Sequence, residues 1–301
     1  FWYFAAQKAD AALVSWMTLE RSAGRNWDCA GQKISGYPFH IELHCASIKF
    51  SGPQITAELG SFHAATQIYS PKLILADLSG PLKINSGGLP NVFTWNNLRV
   101  SLRFGSVLER FSMNVSDLKA GETGDAIAMT AKEMELHLRS DTERAFNDKA
   151  IDVVLNFNEL RANMLDGMIG NAEITSINLV GAVTQTQTLR AGTWQSLLEA
   201  WRVQNGQFFL DNGRFVKGNF LIEAKGSLSL DPARRLQGDL IAGARGIGPL
   251  IGRFVPGNAA QLATALLDRK DGSTLPLPLR LQDGRLSFGP LRTGPILPPL
   301  Y

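Results

Sequence analysis

A mainly β, mostly antiparallel fold is what this sequence predicts, and three observations predict it. Short apolar runs alternate with polar residues at period two along most of the chain. Twenty-nine glycines and fourteen prolines punctuate those runs, as turns between many short strands require. Helix-compatible spacing is confined to a few segments. The predicted class is a β-rich α+β protein: an elongated, curved, mostly antiparallel sheet with an N-terminal helix and a few short helices.

Residues 1 to about 23 form the first helix. Ala5, Ala6, Ala9, Ala11, Ala12, Leu13, Trp16, Met17 and Leu19 are helix-compatible, and Gly24 is a plausible stop. A loop containing Cys29 follows, then a strand from Phe39 to Cys45. Phe39, Ile41, Leu43 and Cys45 point one way along it, and His40, Glu42 and His44 point the other. Further strands are predicted at 55–59, 73–78 and 82–84. Residues 97–104 alternate cleanly, with Leu98, Val100, Leu102 and Phe104 facing a core and Arg99, Ser101 and Arg103 facing water. Strands at 111–115, 134–138 and 151–157 repeat the pattern, and 159–169 suit a helical turn.

The second half repeats the theme, with a strand at 174–183. Trp194, Leu197, Leu198 and Trp201 then fall at helical spacing, Thr193 can cap that helix, and Gly206 follows its end. A meander is predicted over 208–210, 219–224, 227–230 and 237–242. Asn258 can cap another helix carrying Leu262, Ala265 and Leu266. The tail returns to strand at 279–281 and 285–288, before Pro295, Pro298 and Pro299 end the ladder. Alternate apolar positions around Gly80 in 74–84 match those around Gly226 in 220–230. This echo suggests two similar halves, about 25–158 and 159–301, behind a helical segment at 1–24.

Hydrophobic residues make up 45% of the chain and charged residues 19%, which describes a folded globular protein. The net charge of +3 is spread without a basic stripe, so nucleic acid is not an expected partner. No run of 18 apolar residues occurs, so the chain does not itself read as spanning a bilayer. Phe1, Trp2, Tyr3 and Phe4 suit a membrane–water interface. They read as the outer end of an N-terminal anchor whose body lies upstream.

Only two cysteines are present. Cys29 and Cys45 match neither a C-x-x-C nor a zinc spacing and read as one structural disulfide. That places the segment in an oxidising compartment and pins the end of the first helix to the first strand. His40 and His44 lie too far apart on one strand to share an ion without a bend. With Glu42 they read as a solvated polar face, while His63 and His137 stand alone. The Gly-rich run 243–248 fits no nucleotide fingerprint. No catalytic residue, metal ligand or cofactor is assigned, and enzyme activity is not expected. The remaining feature is apolar strand surface, which can be a filled core or a lipid groove. Trp194 and Trp201 read as core.

The Trp27-Asp28-Cys29 element, the Gly36-Tyr37-Pro38-Phe39 turn, the Glu42-Leu43-His44-Cys45 strand and the tail from Leu277 to Pro290 resemble domain of unknown function 2125. That resemblance implies a Gram-negative envelope protein with one membrane anchor, and it carries no assigned activity. The run Gly218 to Asp231 with Leu236 to Leu240 is more loosely similar to AsmA-like envelope proteins. Their likeness implies an inner-membrane anchor and a hydrophobic groove concerned with phospholipid. The expectation is therefore a non-enzymatic periplasmic protein of the inner membrane that binds or helps transfer lipid. Its groove wall would be Leu98, Val100, Leu102, Phe104, Phe220, Ile222, Leu228 and Leu230. The alternative is a structural or assembly component of an envelope complex, with a filled core and with other envelope proteins or further copies of itself as partners.

Overall fold

The computed structural model describes residues 1–86, 89–105, 108–122, 127–141, 149–188, 193–246, 274, 276–288 and 297–301. The fold class is as predicted: 60% of the chain is strand, the pairing is antiparallel, and a helix stands at the N-terminus. The helix predicted from Asn258 and residues 247–250, which include the end of the Gly-rich run, lie outside the described residues, as does Pro295. The chain divides into two compact units, one of residues 1–136 with 159–164 and one of residues 137–158 with 165–301.

The first unit begins with α1 (Trp2–Ser22) and continues through β1 (Asn26–Ala30), β2 (Lys33–Ser35), β3 (His40–Cys45) and β4 (Ser47–Ser51). It proceeds through β5 (Ile55–Leu59), β6 (Phe62–Gln67), β7 (Ser70–Leu78), β8 (Leu82–Ser86), β9 (Leu89–Thr94), β10 (Asn97–Phe104) and β11 (Leu108–Glu122). All of these strands but β11 are halves of long strands interrupted near their middles. β1 pairs with β4 and β2 with β3, then β4 with β5 and β3 with β6. The same doubled pairing carries on through β7 and β8 to β10 and β9, and both of those pair with β11.

The interruptions fall at one level across the unit. Ala46 N–H donates to Ala30 O at 2.7 Å, Ser79 N–H to Ser61 O at 2.8 Å, and Asn96 N–H to Ser116 O at 3.0 Å. Trp95 Nε1 bridges the same line by donating to Leu78 O at 2.7 Å. Gly60 shows why the line needs small residues, since a Cβ there would lie 2.6 Å from the Gly80 carbonyl oxygen. In β11 the break shrinks to a single residue, Asp117, at φ 52°, a bulge inside a continuous strand.

Two predicted details are corrected here. The cysteine loop is a pair of short strands, β1 and β2. The disulfide therefore joins neighbouring strands, β1 to β3, and does not tie helix to strand. The end of α1 is held instead by an ion pair between Glu20 and Arg25 at 2.6 Å, with Trp27 Nε1 donating to the same carboxylate at 3.2 Å.

β12 (Ile127–Ser140) and β13 (Ile151–Ala162) each contribute residues to both units. The short α2 (Asn163–Ile169) follows, where a helical turn was predicted. The second unit then comprises β14 (Thr175–Val183), α3 (Trp194–Val203), β15 (Phe208–Lys217), β16 (Phe220–Leu230), β17 (Leu236–Arg245), β18 (Leu277–Gln282) and β19 (Arg285–Phe288). From β14 to β19 each strand pairs with the next. β16 is one strand where two were predicted. Gly226 lets it run on at φ 146°, where a Cβ would meet the Asp239 carbonyl oxygen at 2.2 Å.

α3 starts as predicted. Thr193 Oγ1 accepts from Ser196 N–H at 3.3 Å, satisfying one of the free donors of the first turn. Trp201 is buried and its Nε1 donates to Thr184 O at 2.8 Å. Trp194 departs from the core reading: it is exposed and meets the Tyr301 ring edge-on.

Candidate functional site

The registers sort the first unit into two faces. Leu43 on β3 stands opposite Ala64 on β6, Ala64 opposite Ala76 on β7, Ala76 opposite Val100 on β10, and Val100 opposite Met113 on β11. The flanking rows are Ile41, Thr66, Ile74, Leu102 and Phe111, and Cys45, Phe62, Leu78, Leu98 and Val115, in the same strand order. This is a broad apolar face. Only Cys45 and Val115 of it are buried; Leu98, Val100 and Leu102 are half-buried, and Phe104 is exposed. The opposite face is polar. Its central row runs Lys33, His44, His63, Asp77, Arg99 and Asn114.

The other four predicted wall residues lie in the second unit. Phe220, Ile222, Leu228 and Leu230 share one face of β16 with Phe208 and Phe215 of β15 and with Leu236 of β17. That surface is more closed: Phe220 is 4% exposed and Leu230 6%, while Ile222 and Leu228 are half-buried. Its polar reverse carries the Arg214–Glu223 and Arg280–Asp239 pairs at 3.3 and 2.6 Å.

At the edge of this second surface sits Lys217, whose side chain is fully buried. Its Nζ donates to Asp166 Oδ1 at 2.6 Å and to the Glu173 carbonyl oxygen. Both partners come from the segment around α2, so the buried charge fastens that segment to β15. Nearby on the chain, burial pushes the Asp231 carboxyl up. Hydrogen bonds from the Arg235 backbone N–H and guanidinium outweigh this and hold it below the usual range. Neither lock was found from sequence: the partners of Lys217 stand 51 and 44 residues away, and Asp231 and Arg235 are close in sequence, but their burial is not written there.

Of the four N-terminal aromatics, Trp2 and Tyr3 meet each other and Tyr37. Phe1, Tyr3 and Phe4 are 93%, 76% and 60% exposed, and no residue of α1 is buried. Trp2 docks on the turn between β2 and β3. Its Nε1 donates to His40 O at 2.6 Å, and its ring meets Tyr37 edge-on at 5.7 Å. Tyr37 and Phe39, 69% and 63% exposed, extend the aromatic surface. Tyr37 was read only as part of a turn, and Phe39 as the first residue of a strand that in fact begins at His40. The signal that would have linked Tyr37 to Trp2 is a contact across 35 positions. Among the described residues, no helix is long and apolar enough to cross a membrane.

Cys29 and Cys45 form the predicted disulfide, with Cα atoms 5.3 Å apart. His63 is not isolated as predicted: the β3–β6 register sets it opposite His44.

The architecture defines a class: an antiparallel β protein with two-faced sheets, a disulfide between adjacent strands and a helix presenting aromatics to solvent. A family model described as an uncharacterized protein conserved in bacteria, DUF2125, matches residues 2–296. The chain belongs to that family. No curated protein and no solved structure matches it, and the family match does not extend to the AsmA-like likeness.

Proposed function

We propose that this is a non-enzymatic envelope protein, anchored at the inner membrane with its bulk in the periplasm, that binds or helps transfer lipid. The observation that carries the reading is the apolar face of β3, β6, β7, β10 and β11. Its Leu98, Val100 and Leu102 are only half-buried, whereas a filled core closes such rows almost completely. Exposed apolar surface of this breadth marks a site for a partner or a lipid. The aromatic cluster around Trp2 and Tyr37 supports a membrane-facing end, since amphipathic rings gather at that interface. The disulfide supports an oxidising compartment.

The test is lipid mass spectrometry on full-length protein extracted in mild detergent. Stoichiometric phospholipid is expected in the wild type, and a reduced amount in a folded Val100→Asp variant. Folded wild type with no phospholipid would overturn the reading. It would favour the second one, a structural or assembly component of an envelope complex, to which the closed Phe220 and Leu230 positions lend support.

A further inference from the structure

Away from the apolar face, the polar row brings three side chains with metal-ligand chemistry together. Glu42 and His44 alternate on β3, and His63 stands directly opposite His44 on β6. Glu42 Oε2 lies 3.5 Å from His44 Nε2 and 3.8 Å from His63 Nε2. One ligand atom from each of the three falls within 4.8 Å of the others. Ligands bound at 2.0–2.1 Å to a tetrahedral ion are separated by about 3.3–3.5 Å. The observed separations are thus close to those of a set converging on one ion. The two imidazoles stack at 4.2 Å with their planes 17° apart, so their ring nitrogens are neighbours, and the rings must turn out of the stack to aim both lone pairs at one ion.

A second observation points the same way. His63 Nε2 is buried yet has no hydrogen-bond partner, and a buried polar nitrogen left unpaired is costly. A bound cation satisfies it. The side chains remain reachable, with His44, His63 and Glu42 retaining 43%, 39% and 30% exposure. Ser35 Oγ donates to Glu42 Oε2 at 3.3 Å and orients that carboxylate, the kind of outer contact that metal ligands carry. Asp77, the register neighbour of His63, is occupied by Arg99 at 3.2 Å.

We infer that Glu42, His44 and His63 form a binding site for a divalent transition metal of the zinc class, clipping β3 to β6. Two imidazoles and one carboxylate suit zinc, nickel or copper and not calcium or magnesium, which prefer all-oxygen sets. Three protein ligands leave a coordination position for water or for a partner's side chain. This site lies on the face opposite the proposed lipid surface and stands independently of that reading.

The test is zinc titration of tag-free, disulfide-intact protein against a chromophoric chelator, with cobalt absorption as a second readout. One equivalent of zinc is expected. His44→Ala and His63→Ala should each weaken binding more than about tenfold, since even outer-shell changes cost that much. His40→Ala, on the same strand but outside the set, should leave affinity unchanged. Should a histidine variant fail to fold, Glu42→Gln decides the matter, because zinc should raise the melting temperature of the wild type and not of that variant. No stoichiometric zinc in the wild type, equal weakening by His40→Ala, or an equal thermal shift in Glu42→Gln would each overturn the site.

Discussion

The two units use the same strand pattern and hold it together differently. In the first, the apolar row through Val100 is only half-buried, and a covalent bond joins β1 to β3. In the second, Phe220 and Leu230 close almost completely, and buried charges, Lys217 with Asp166 and Asp231 with Arg235, fasten the strands' ends. A sheet that leaves its apolar face open forgoes part of the burial that stabilises a fold. A cross-link that restricts the unfolded chain offsets some of that loss. The difference teaches that identical alternation in sequence can serve an open surface in one place and a packed one in another.

The largest effect should come from placing one charge in each setting. Phe220→Asp or Leu230→Asp buries a carboxylate without a partner, at an expected cost of about 4 kcal/mol or more. Val100→Asp keeps contact with water and should cost about 1–2 kcal/mol. Urea midpoints of the three variants measure the contrast. If Val100→Asp unfolds the chain as readily as Phe220→Asp, the two faces do not differ and the open-surface reading falls with them.

Next in size is the buried ion pair. Asp166→Ala leaves the Lys217 ammonium enclosed with only the Glu173 carbonyl as partner, and removing one member of a buried pair costs about 3–5 kcal/mol. Replacing both, as Asp166→Ala with Lys217→Met, should recover most of that loss. A double variant no more stable than the single one would mean that the charge is not what the site pays for. The first unit's counterpart is its disulfide. Cys45→Ser opens a closed loop of sequence separation 16 and should lower stability by about 3 kcal/mol in the chain-entropy model. Guanidinium unfolding with and without reductant reads it directly, since the wild type under reduction should match the variant.

What was legible beforehand follows from where the physics is local. The β10 alternation from Leu98 to Leu102 and the Thr193 cap of α3 are short-range patterns and stand as read, whereas Phe104 and Trp194, read as core, are exposed because burial depends on what lies across from them. β1, β2, β4, β6 and β9 were missed: they are three to six residues long, too short to show a clear alternation of their own. Phe62–Gln67 is also rich in Ala, Thr and Gln, which give no apolar contrast. The pairing of His44 with His63 depends on the register of β3 against β6, a property of two segments that neither one encodes alone. Tyr37 joins Trp2 and Tyr3 for the same reason: the helix and the turn meet only in the folded chain.

The smallest effect concerns a feature that the units share. Arg25 holds Glu20 down to about 2, and Arg202, with Tyr301 donating as well, holds Glu199 down to about 2, against an ordinary value of 4.5. A carboxylate with a lowered folded pKa adds stability that is present above its unfolded value and lost as pH falls through the folded one. Both locks should therefore weaken between pH 4.5 and 2, and both are screened by salt because the pairs reach solvent. Glu20→Gln and Glu199→Gln should each lower the neutral-pH urea midpoint slightly and flatten its fall over that acid window. Trp27, which donates to Glu20, reports the first lock by fluorescence, and the Trp194 edge against Tyr301 reports the second. If the acid transition of either variant keeps the wild-type slope, that carboxylate does not drive it. If only one flattens, the units differ in their charge locks as well as in their packing.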